Sequence, residues 1–100
     1  MIRMFNHVML GASDINLSKK FYDATLGTLG IGPGIKDSDL RCSYRGSGGV
    51  FMIKIPIDGN PATVGNGSTV GFKASNEMEV DEWHAAGTAN GGTTCEDPPG

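Results

Sequence analysis

Shifted against itself by 62 positions, the chain lays one strand, turn and helix over another. His7 falls on Thr69, Val8 on Val70, Ala12-Ser13 on Ala74-Ser75, Phe21 on Trp83, Ala24 on Ala86 and Gly30 on Gly92. A unit used twice constrains a fold strongly, because it points to one supersecondary element built and packed in two copies. The apolar phase of the two helical stretches differs by about one residue. A second copy of about 62 residues starting near Asn66 would run to roughly residue 128, so it is expected to be partial, its hairpin and last strand coming from further sequence or from another chain.

In the first copy, residues 4–11 alternate, with Phe5, His7 and Met9 on one face and Val8 and Leu10 on the other, which predicts a strand covered on both sides. Ala12-Ser13-Asp14 supplies N-cap chemistry. Residues 14–26 then predict an amphipathic helix, with Leu17, Phe21, Tyr22, Ala24 and Leu26 on its apolar side, Asn16, Lys19, Lys20 and Asp23 opposite, and Gly27 or Gly30 as its stop. After the turn around Gly30, Gly32, Pro33 and Gly34, strands at 40–45 and 50–57 are joined by Gly46-Ser47-Gly48-Gly49, the composition of an antiparallel hairpin. Residues 58–67 hold three Gly, one Pro and two Asn and read as a linking loop. In the second copy, 68–74 alternates Val70, Phe72 and Ala74 against Thr69, Gly71 and Lys73. Ser75 or Asn76 then caps a helix running to about Asn90, with Val80, Trp83 and Gly87 at helical spacing and Gly91-Gly92 stopping it.

Composition narrows the function classes. A chain of 100 residues holds one modest core and no separate partner domain. Its net charge of −3, with eight scattered Lys and Arg, gives no footprint for nucleic acid or anionic lipid. The apolar run at 50–57 carries Lys54, so no spanning segment is expected. Cys42 and Cys95 have neither CxxC spacing nor the number needed for a disulfide scaffold, so a cytoplasmic, reducing setting is expected. The glycine sets GIGPG and GSGG lack phosphate-loop spacing, and no GxSxG occurs.

The stretch MFNHVMLGASDINLSKKFYDATLGTLGI resembles the opening module of the vicinal-oxygen-chelate superfamily, which groups glyoxalase I, bleomycin-resistance proteins and extradiol dioxygenases. STVGFKASNEMEVDEWHAAGTANGG resembles the opening of its second module. The likeness covers residues 4 to about 96. It rests on a strand with an early His, a turn with Asp, the helix bearing FYDATLG, and the loop DGNPATVGNG. It implies an α+β fold of paired βαβββ modules, the first complete over 1–57, a linker at 58–67, and the start of the second over 68–100. It also implies a cleft between curved sheets and, in the metal-dependent members, a divalent ion held by inward His and Glu side chains. On those positions His7 matches, Lys54 stands where Glu is usual, Thr69 replaces the second His, and the last Glu position lies past Gly100.

His7 is therefore either one metal ligand or a hydrogen-bonded strand histidine; a single imidazole does not make a metal site. Alternation puts Lys54 with Val50 and Met52, opposite Phe51, Ile53, Ile55 and Ile57. If the Phe/Ile face packs under the helices, Lys54 faces the cleft, where it holds a carboxylate, phosphate or enolate or acts as a base; otherwise it snorkels to the sheet edge. Lys54, Met52, Thr69 and Phe5 are the candidate ligand-binding residues, and His7 is the candidate metal residue. Cys42 and Tyr44 share a strand face and are candidates to line the cleft, with Arg41 and Arg45 opposite. His84, beside Trp83, belongs to the border of a packed helix face.

Two functions follow. One is a small-molecule binding protein of the bleomycin-resistance kind, without a complete metal site in this chain. The alternative is a divalent-metal-dependent lyase or isomerase of the glyoxalase type, with zinc, nickel, manganese or iron bound through His7. A homodimer is expected in either case, since a partial second sheet leaves an open edge.

Overall fold

The computed structural model describes residues 5–63 and 67–93. Strand β1 (His7–Gly11) leads into helix α1 (Ile15–Gly27), followed by β2 (Ile35–Ser38), β3 (Arg41–Gly46), β4 (Gly49–Lys54) and helix α2 (Glu77–Ala89). The four strands form one mixed sheet in the order β1-β4-β3-β2. β1 runs parallel to β4, while β4 with β3 and β3 with β2 are antiparallel. The first βαβββ module is thus complete.

Local chemistry accounts for most boundaries. The Asp14 carboxylate accepts from the Leu17 N–H at 3.0 Å and opens α1. Asn76 does the same for Glu79 at 2.9 Å, while the Glu79 carboxylate accepts from the Ser75 N–H at 2.7 Å, a reciprocal cap that opens α2. Both caps and both helices stand 62 residues apart, and each helix is 13 residues long. The stops differ by one position: left-handed glycines fall at Gly30 (φ 84°) and Gly91 (φ 102°). Gly46 pairs with Gly49, which leaves Ser47-Gly48 as a two-residue hairpin turn.

The core lies between the sheet and α1. Ile15, Leu26, Cys42, Tyr44, Phe51 and Ile53 are buried there, with Val8, Leu10, Tyr22 and Phe72 packed against them. The inward stripe of α1 is Ile15, Tyr22 and Leu26, at the spacing that keeps one face of a helix. Leu17, expected on the apolar side, is 65% exposed. Two residues beyond Ile15 place it about 200° around the axis, away from the sheet. α2 packs beside α1, with Gly87 next to Phe21 and Thr25.

Two expectations are corrected. Ile35–Ser38 is a strand that the alternation does not reveal: all four residues are exposed, and a register shift between Lys36 and Ser38 breaks its pattern. Residues 68–74 are not a strand. Phe72 and Ala74 are half-buried as the alternation requires, yet no strand among the described residues lies alongside. β1 is held by β4, whereas the backbone of 68–74 joins no ladder among the described residues. Phe72 instead inserts between Phe51 (ring centroids 5.1 Å apart) and Trp83 (5.5 Å), which ties α2 to the sheet by aromatic packing. Residues 64–66 of the linker, and Cys95 with the rest of 94–100, lie outside the described residues.

Candidate functional site

One face of the sheet is covered by α1; the other is open. Because paired residues point the same way, the register defines the open face as three rows. Gly11, Lys54, Arg41 and Ser38 form the first row. Met9, Met52, Ser43 and Ile35 form the second, and His7, Val50 and Arg45 the third. Met9 is 50% and Ile35 68% exposed, while Met52 and Lys54 are half-buried.

Lys54, Met52 and His7 therefore share this face. Phe5, 68% exposed, precedes β1 in phase with His7. Thr69 is exposed in the irregular segment and stands outside the paired register. Cys42 and Tyr44 do not line the open face: Cys42 pairs with Ile53 and Tyr44 with Phe51, so both belong to the core. Arg41, Ser43 and Arg45 occupy the open face in their place. The hairpin register, set by the two-residue turn, carried that information in the sequence. His84 lies on α2, half-buried.

Charge is unevenly placed. Arg41 donates from Nε to the Asp37 carboxylate at 2.8 Å and forms an ion pair with it through Nη2. This partner holds the Asp37 carboxyl below, and the Arg41 guanidinium above, its ordinary range. The Lys54 ammonium and the Arg45 guanidinium have no hydrogen-bonding or ionic partner among the described residues. The His7 Nδ1 lies 3.0 Å from the Asn6 Oδ1, a contact whose donor and acceptor roles depend on the ring tautomer.

Beneath the face, a polar knot fixes β3 to α1. Asp23 accepts from the Tyr44 hydroxyl at 2.7 Å, the Gly34 N–H at 2.9 Å and the Lys19 ammonium at 2.6 Å. Burial works to raise the Asp23 pKa, but the hydrogen bonds from Lys19, Gly34 and Tyr44 outweigh it and hold the carboxyl below the usual range. Burial, followed by the Asp23 contact, pushes the Tyr44 phenol well up, and burial raises the Cys42 thiol. A depressed carboxyl stabilises the fold above its unfolded pKa, and that contribution is lost as pH falls through the folded pKa. The urea midpoint of the native protein is expected to exceed that of Asp23→Asn at pH 6, and the gap to close as pH falls below about 4. A gap that persists at pH 2 would contradict this assignment.

A solved structure of a glyoxalase/bleomycin resistance protein from Albidiferax ferrireducens T118 is similar to this chain at 61% identity, with a TM-score of 0.92, over 97% of this chain and 77% of that one. The chain belongs to the glyoxalase/bleomycin resistance protein family. A glyoxalase-related enzyme from Fulvimarina pelagi (20% identity, TM-score 0.67, 90% of this chain and 66% of that one) shares the fold. So does a lactoylglutathione lyase from Agrobacterium tumefaciens (21%, 0.55, 85% and 68%). No protein-family model and no curated protein matches the chain.

The divalent ion that glyoxalase-like enzymes bind needs about three His or carboxylate donors. Among the described residues of the paired strands, His7 is the metal donor at an expected position on this open face; Lys54 stands at a second, and Thr69 lies outside the paired register. Among the described residues no group of three His, Cys, Asp or Glu side chains stands close enough to hold a metal ion. A complete metal site does not fit these residues.

No helix among the described residues is long and apolar enough to cross a membrane.

Proposed function

We propose that this glyoxalase/bleomycin-resistance-like protein binds a small molecule on the open face of its sheet, without a complete metal site of its own. The supporting observation is the make-up of that face: an apolar middle row of Met9, Met52 and Ile35, flanked by rows carrying Lys54, Arg41 and Arg45. Apolar surface bounded by a few polar groups suits a small ligand, the first giving affinity and the second orientation. A homodimer completes the walls in this reading, since the outer edge of β1 has no strand beside it among the described residues. Cys42, a buried free thiol, suits a cytoplasmic setting.

The second reading, a divalent-metal-dependent lyase or isomerase, draws on His7, which stands on the same face. It needs ligands beyond those of the described residues.

One set of measurements separates the two. Protein dialysed against nickel, zinc or manganese is expected to hold well under one metal per chain by plasma mass spectrometry, with no change in His7→Ala. Small molecules are expected to move the Met9 and Met52 methyl resonances, and light scattering to read the mass of two chains. Near-stoichiometric metal lost in His7→Ala would favour the metal-dependent reading instead, and a mass of one chain at micromolar concentration would remove the dimer.

A further inference from the structure

Resting on that reading of the open face, we propose that its ligand is a monoanion with an apolar body, a carboxylate for preference, and that Asp37 sets the charge it accepts. Lys54 and Arg41 are direct partners across β4 and β3, two cations side by side on one face. Like charges so placed repel and weaken a sheet. The sequence is acidic overall, at −3, so a general excess of cations does not explain their meeting here.

Only half of the pair is answered internally. Asp37 projects from the bulged stretch of β2 and binds Arg41 through Nε and Nη2, while Lys54 has no such partner among the described residues. Lys54, Arg41 and Asp37 together carry one positive charge, which one carboxylate balances. A dianion such as a phosphate monoester would bring its second charge against the Asp37 carboxylate. The next row, two residues along each strand and about 7 Å away, is Met9, Met52 and Ile35. A carboxylate on Lys54 therefore carries its chain or ring over unbranched thioether side chains that adapt to shape. Arg45, four residues from Arg41 on the same strand and about 13 Å away, is too distant to share the same anion.

The test titrates methyl-labelled protein with 3-phenylpropionate, its neutral amide, and 2-phenylethyl phosphate, following Met9 and Met52. The carboxylate is expected to bind at least tenfold more tightly than the amide. Lys54→Gln should abolish that preference and Lys54→Arg keep most of it; a circular-dichroism spectrum like that of the native protein shows that each variant is folded. Asp37→Asn should improve binding of the phosphate at least fivefold while changing the carboxylate less. Equal binding of acid and amide, with both methionines still responding, would overturn the anion assignment and leave the face as a neutral-ligand site. An Asp37→Asn variant with unchanged phosphate binding would overturn the role of Asp37. If no probe moves either methionine, the proposed function falls together with this inference.

Discussion

Gly34→Ala is expected to lower the unfolding free energy by about 3 kcal/mol, as overpacking of a closed core does, and the thermal midpoint by roughly 12–24 °C for a domain of this size. The reason is space. A Cβ on Gly34 would sit 2.5 Å from the Cys42 Sγ and 2.5 Å from the Tyr44 Cζ, and both side chains are buried with nowhere to move. Nor can the backbone back away freely, because the Gly34 N–H donates to the Asp23 carboxylate at 2.9 Å. Retreat would uncouple β3 from α1 by loosening the contact that Tyr44 shares with the same carboxylate. Calorimetric or urea unfolding of the variant checks it. A loss under 1 kcal/mol would mean that the turn before β2 is looser than this packing implies.

Phe51→Ala is expected to cost about 4 kcal/mol, the range for truncating a buried aromatic. Phe51 is the hinge of the aromatic chain: its ring centroid lies 4.9 Å from Tyr22, 6.2 Å from Tyr44 and 5.1 Å from Phe72. Through Phe72 it reaches Trp83, the single tryptophan of the sequence. The variant should therefore combine a large fall in stability with a red-shifted Trp83 emission in the folded state, because the side of α2 that Phe72 covers becomes wetter. Phe72→Ala provides the control, with a comparable emission shift and a smaller stability loss, since Phe72 is only half-buried. Native-like emission in Phe51→Ala would show that α2 is held without this aromatic chain.

Much of the first module was legible because its signals are local. An Asp at the start of α1, an Asn at the start of α2 and left-handed glycines beyond their ends satisfy backbone groups within a few residues of themselves. The hairpin turn of two residues is likewise written in its glycines. The face on which Lys54 stands was legible, because the apolar Phe51 and Ile53 beside it commit the opposite face to the core.

The open face as a whole was not legible. β2 is short, fully exposed and bulged, so it has no periodicity to read, and it is a strand only because β3 offers it an edge. Residues 68–74 do alternate, but alternation describes side chains, and a strand also needs a neighbour for its N–H and C=O groups. By itself, the sequence determined which stretches would be helix, turn and hairpin, and that the caps of α1 and α2 stand 62 residues apart. The tertiary structure alone decided that Arg41 stands beside Lys54, that Asp37 answers one and not the other, and that Asp23, Gly34 and Tyr44 meet under the sheet. Those meetings join residues 11 to 21 positions apart or on different strands, and their distances depend on register and packing, which no local preference encodes.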